Sequence, residues 1–245
     1  MNEKILIKES CSRLRERGRN SLSGLWKSAF ALMLIYCILL VVPAFIINCI
    51  CGYPKEIVVF GDTQIVEQSF LSGLYCFVIE GLFAVILAAV FLGIVRDKQV
   101  KWNSLEGIGF PAKSFVLFIV VGVFTFLWSL LFVVPGIIAG IRYSQAFYIL
   151  ADDSSKSVMQ CISESKEMMK GNKKKFFLME LSFIGWLILA VLPASIAAAI
   201  LKVYDIGFWN DAVFVLLLFP VIWVIVYLKS TEANFYELLV RFGTI

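Results

Sequence analysis

The sequence predicts an all-α, polytopic membrane bundle. It should have about six transmembrane helices, both termini in the cytoplasm, and amphipathic surface helices before spans one and five. Three observations lead there. Of 245 residues, 60% are hydrophobic and 16% charged, against roughly 45–50% and 25% in soluble chains, and the mean hydropathy is +0.89. No soluble core of this size hides so much apolar surface, so the bilayer is the solvent that accepts it. Uncharged runs of span length recur along the chain, and lysine and arginine collect in alternate loops. Disorder, collagen-like and disulfide-scaffold classes are excluded by the same composition.

Residues 1–28 are polar and basic. Residues 29–50 carry no charge and as a helix reach about 33 Å, enough for hydrocarbon roughly 30 Å thick. This run is too long for a signal peptide and ends in no small-residue cleavage site, so it reads as an anchor. A second run, 70–95, is interrupted once, by Glu80. The third begins at 114 and continues to 151, too far for one crossing. Pro135-Gly136 supplies a break, giving a span at 114–134 and a return at 137–151. That return, about 22 Å long, is either a short span or part of a re-entrant hairpin. Two further runs lie at 176–201, containing Glu180, and at 212–228, before a cytoplasmic tail at 229–245. The whole chain reads as a single integral membrane domain.

The cations set the orientation. Lys4, Lys8, Arg13, Arg15, Arg17, Arg19 and Lys27 precede span one. Arg96, Lys98, Lys101 and Lys113 follow span two. Lys156, Lys166, Lys170 and Lys173 to Lys175 precede span five, and Lys229 and Arg241 follow span six. The other side holds Lys55 and Lys202 alone, while Arg142 is embedded. Such asymmetry places the rich side in the cytoplasm.

The outer loop 51–69 contains EIVVFGDTQIVE, two β-rich runs that can form a small hairpin around Gly61-Asp62. Tyr204 and Trp209, beside Asp205 and Asp211, read as interfacial anchors. On the basic side, Ile7, Cys11, Leu14, Gly18, Leu22 and Leu25 recur at helical spacing with cations on the remaining faces, the pattern of a helix lying on an anionic surface. Val158, Cys161, Ile162, Ser165, Met168 and Met169 make a second such face, closed by Gly171-Asn172. SLSGLWKSAF and MMKGNKKKFF share a plan, which the entry of any basic segment into a bilayer explains better than duplication.

There is no histidine, which removes the commonest general base and zinc ligand. No phosphate-binding glycine loop and no H-E-x-x-H occurs. The six cysteines form no C-x-x-C, although Cys49, Cys51 and Cys76 fall on one side, where a disulfide is open to them. No cofactor or metal is expected. Asp152-Asp153 reads as the N-cap of the following helix rather than a metal pair. The candidate site is the set of embedded polar groups: Glu80, Arg142, Tyr143, Gln145 and Glu180. Charges inside a bilayer are costly and should face the bundle interior with partners. Glu80 with Arg142 is either an internal staple between helices or a polar site for an anion, a peptide or a proton.

The stretches RNSLSGLWKSAFALMLIY, FLWSLLFVVPGIIAGIRYSQAFYILADD, ESKEMMKGNKKKFFLMELSFIGW and EANFYELL resemble the integral membrane family called domain of unknown function 975. The resemblance implies a protein of the plasma membrane of a Gram-positive cell. It transfers no catalytic or binding residue. Where the family often has a basic residue after PGII, this chain has Ala139. The function expected is a non-enzymatic envelope binding or accessory protein, in contact with anionic headgroups and with a peptide or membrane-protein partner, and serving stress or antimicrobial-peptide tolerance. A small secondary transporter using Glu80, Arg142 and Glu180 is the alternative. The basic N-terminal segment beside a bilayer points to lipid rather than nucleic acid.

Overall fold

A computed structural model describes residues 6–53, 55–59, 62–66, 68–97, 111–203 and 207–243. Among these the chain forms helices α1 (Cys11–Ser21), α2 (Trp26–Ile50), α3 (Phe70–Asp97), α4 (Pro111–Leu131), α5 (Val133–Tyr143), α6 (Ala146–Asp152), α7 (Val158–Met168), α8 (Lys173–Val203) and α9 (Gly207–Gly243). Between α2 and α3 lie strands β1 (Lys55–Val59) and β2 (Asp62–Val66), paired antiparallel with Val59 opposite Asp62. The expected hairpin is present, and Asp62 belongs to its second strand. Gly61, Tyr204 and Asp205, like most of the basic loop after α3, lie outside the described residues, as do the side chains of Trp209 and Asp211.

Five helical stretches are long and apolar enough to cross a bilayer: Trp26–Ile50, Phe70–Asp97, Ala112–Leu131, Val133–Asp152 and Lys173–Ala197. The chain is a helical membrane protein. The sixth expected run, 212–228, forms part of α9.

The break between the third and fourth runs falls earlier than Pro135-Gly136. Phe132, extended at φ −165° and ψ 158°, precedes α5. Pro135 then sits in the first turn, where its missing N–H leaves no hydrogen bond unmade. Gly136 is there for closeness rather than for turning: a Cβ on it would lie 3.0 Å from the Ser129 Cα, so α5 returns tightly against α4. A second discontinuity, at Ser144 and Gln145, divides the return into α5 and α6.

The helix α1 starts at Ser10, whose side chain accepts from the Arg13 N–H. Its apolar face does not enter lipid as the amphipathic pattern suggested. Leu14, Gly18, Ser21 and Leu22 are buried against the last third of α9. Gly18 permits the contact, since a Cβ there would lie 3.1 Å from the Thr231 Cα. Tyr227 Oη donates to the Arg15 carbonyl at 3.0 Å, and Ser230 Oγ to the Gly18 carbonyl at 2.9 Å. Trp26, at the head of α2, stacks on Trp223 with 4.5 Å between centroids. The expected tail at 229–245 is therefore no separate segment through residue 243. It continues the last helix, and residues 230–236 are all buried.

The core gathers at the end of the bundle where α1, α6, α7 and the last part of α9 meet, called here the terminal end. Leu22, Phe91, Ile94, Ile149 and Ile162 form its larger cluster, and Leu14, Met169, Met179, Phe235 and Leu239 a second. The apolar faces of α2, α4 and α8 point outward instead. Val41, Phe45, Phe126, Leu130 and Leu189 are exposed, as lipid-facing side chains should be.

Candidate functional site: a polar network at the terminal end

Five embedded groups were expected to form the site, and the structure separates them. Glu80 is exposed on α3 and, among the described residues, makes no hydrogen bond or ion pair. Arg142, half-buried at the end of α5, has no ion pair among the described residues. The Glu80 and Arg142 staple is absent. Tyr143 is buried beneath the Lys166 ammonium, 5.6 Å from its ring centroid. Gln145 is fully buried; its Nε2 donates to Ser144 Oγ at 2.9 Å and its Oε1 has no partner. Glu180 does find company, beside Lys229 and Glu232 of α9.

That last contact opens onto a larger arrangement. Lys229 Nζ donates to both oxygens of Glu232, at 2.9 and 3.2 Å, and Tyr148 Oη donates to Glu232 Oε2 at 3.2 Å. The Tyr148 ring stacks on Tyr236 at 5.6 Å. Tyr236 Oη donates to Asp152 Oδ2 at 3.0 Å. Asp152 and Glu237 share Arg96, whose Nη1 and Nη2 face Asp152 and whose Nε donates to Glu237 at 2.7 Å. Arg241 closes the series on Glu237 at 3.1 Å. Three helices, α6, α8 and α9, and the end of α3 thus contribute to one connected set.

The helical period explains the convergence. Lys229, Glu232 and Tyr236 follow one another at three and four residues on α9, Tyr148 and Asp152 at four on α6, so each series occupies one face. Burial and the Asp152 charge push the Tyr236 phenol up from its ordinary range, so it stays the donor in its bond. With its oxygens engaged by Arg96 and Tyr236, Asp152 is not the expected cap. Ser157 caps α7 in a reciprocal pair with Gln160, and Asp153 accepts from the Ser155 N–H and hydroxyl.

Glu237 also faces a cavity of about 290 Å³, lined by Arg17, Asn20, Ser21, Val95, Asn234, Glu237, Leu238 and Arg241. Arg17 is held by Glu9 at 2.6 and 2.8 Å, a contact that pushes its guanidinium further up. Ser21 and Asn234 hydrogen-bond each other across the α1 and α9 contact. The lining offers guanidinium and amide donors beside one carboxylate and amide acceptors, a set suited to a ligand with both donors and acceptors.

Residues 130–241 match the family described as "Protein of unknown function (DUF975)". Over that stretch the chain is similar to the family. The DUF975 region holds Tyr148, Asp152, Glu180, Lys229, Glu232, Tyr236 and Glu237, nearly all of the network. Arg96 and the α1 side of the cavity come from outside it, as does RNSLSGLWKSAFALMLIY, so the match is narrower than the resemblance read along the sequence. No curated protein and no solved structure matches the chain.

Lys229, Glu232, Glu237 and Arg96 were missed as site residues because they looked like loop and tail charges, Tyr236 because it lay in the same tail, and Asp152 because it read as a helix cap. The three- and four-residue spacing after the last apolar run was the available signal. Cys49, Cys51 and Cys76 are free thiols, so the disulfide left open by their shared side is not formed.

Proposed function

We propose that the chain is a non-enzymatic, multi-pass plasma-membrane protein of a Gram-positive cell, with six spans and both termini in the cytoplasm. It acts as a binding or accessory component of the envelope, in stress or antimicrobial-peptide tolerance. Its terminal-end cavity takes a polar segment of a peptide or membrane-protein partner. One observation carries this reading: the polar groups form a connected network that backs a cavity with mixed donors and acceptors, while Glu80 and Arg142 stand apart from it. Lys and Arg collect in the segments of that same end, which supports its placement in the cytoplasm.

A photo-crosslinking residue at Asn20, compared with one at lipid-exposed Phe45, tests it in native membranes. The expected result is a discrete protein adduct at Asn20, identified by mass spectrometry, and lipid adducts alone at Phe45. Lipid adducts alone at both positions would overturn the reading. The transporter alternative draws on Glu180 lying beside Lys229 and Glu232. Ion flux in proteoliposomes that is abolished by Glu180→Gln, with folding retained, would favour it instead.

A further inference from the structure

Arg142 and Lys166 are two cations that stand outside the network and close to each other in the fold. Ser165 Oγ donates to the Arg142 carbonyl at 2.8 Å, which sets α7 against the end of α5 and brings Lys166 and Arg142 to either side of one contact. Lys166 Nζ rests over the Tyr143 ring at 5.6 Å and the Phe124 ring at 6.0 Å. Among the described residues neither cation has an ion pair. The carboxylates nearest in sequence are occupied, Glu164 by Lys156 and Glu167 by Lys170, each at 2.7 Å.

The surroundings say what neutralises them. Val134 and Ile138 precede Arg142 at intervals of four and expose 64% and 45% of their surface. Arg142 therefore lies on the flank of an outward apolar face. In a membrane protein such a face meets acyl chains, and a cation midway along the Val133–Asp152 stretch extends its side chain from the hydrocarbon toward the headgroup layer. Apolar stripe followed by paired positive charge is the complement of a phospholipid, tails followed by phosphate.

We propose that Arg142 and Lys166 together bind the phosphate of an anionic phospholipid whose acyl chains run along Val134 and Ile138. The guanidinium supplies a planar pair of donors to the phosphate oxygens. Lys166, steadied by the two ring faces, supplies the second charge. This site is independent of the terminal-end cavity and requires only that the chain sit in a bilayer.

The test uses the full chain in phosphatidylcholine nanodiscs doped with phosphatidylglycerol, with retained lipid read by native mass spectrometry. One phosphatidylglycerol should survive release per chain. Arg142→Gln and Lys166→Gln should each weaken retention about fivefold, the effect of one basic residue beside anionic lipid. Arg142→Lys keeps the charge but not the planar pair of donors and should retain an intermediate amount, and exposed Lys170→Gln should retain all of it. Inorganic phosphate should not compete. Unchanged retention in the Arg142→Gln/Lys166→Gln double variant would overturn the proposal. Equal loss in Lys170→Gln would do so too, by showing a bulk charge effect, as would displacement by free phosphate. If Arg142→Gln fails to fold by size exclusion, Lys166→Gln and Arg142→Lys decide the question.

Discussion

Where α1, α6, α7 and α9 meet, Leu14, Leu22, Ile162, Phe235 and Leu239 have no exposed surface. At the turns joining α2 to α3 and α4 to α5, Ile50, Phe70, Phe132 and Val133 are 73–82% exposed. The side chains are equally apolar in the two places. What differs is the solvent each must satisfy. Beside lipid an outward Phe costs nothing, so these helix ends need less close packing, and the polar groups buried there, Ser69 and Ser72, are satisfied locally by each other and by Asn48. At the terminal end helices must exclude water from one another, and their polar groups need partners. Hence Ser21, Ser230, Thr231 and Asn234 are buried there with hydrogen bonds.

Crowding the terminal end should produce the largest change. Gly18→Val drives a branched side chain at the Thr231 backbone and should destabilise the protein by about 3 kcal/mol, the upper range for overpacking. Chemical unfolding in detergent reads this, and proteolysis near residues 6–25 should become faster. Little change would mean that α1 is only loosely docked. Next comes the Arg96 junction. Arg96→Met removes the partner of Asp152 and Glu237 and should cost about 2 kcal/mol, below the figure for fully buried pairs because this one is partly hydrated. A double-mutant cycle with Asp152→Asn should recover part of that loss.

Tyr236→Phe should cost about 1 kcal/mol, the net worth of one hydrogen bond. The pH dependence of this loss has a defined sign. The folded phenol is raised above its unfolded value, so its contribution is complete below about pH 10 and declines as pH rises through the phenol range. Wild type and Tyr236→Phe should accordingly converge in stability only in strong alkali. The smallest effects belong to the lipid-facing surface. Gly122, with nothing within 4 Å of a built Cβ, should accept Ala with a change within about 1 kcal/mol, stabilising in sign. Phe45→Ala should stay within about 0.5 kcal/mol. A large loss at Phe45 would show that this face packs against protein and would remove the contrast between the two regions.

The apolar runs were legible because a bilayer demands length and absence of charge, and α2, α3 and α8 begin and end within a few residues of the runs that announce them. Pro135 misled because a proline inside an apolar run reads as a break, whereas one in the first turn of a helix breaks nothing. Leu14 and Leu22 announced an amphipathic helix but not what would cover it. Periodicity names a face, and only the fold supplies its partner. Glu180 was visible as an oddity within its run, yet Glu232 and Arg96 were not, since charges beyond a span are ordinary there. Arg96 pairs with Glu237, 141 residues away, and Glu232 with Tyr148, 84 residues away, relations no local pattern encodes.

The last helix has one further consequence. At 37 residues it is about 55 Å long, and the same rod supplies an expected span at one end and Lys229, Glu232, Tyr236 and Glu237 at the other. Pro220 lies inside this helix and leaves one backbone hydrogen bond unmade, so the stretch after it, residues 221–243, is the part that joins the end of the expected span to the carboxylates beside the cavity without a proline.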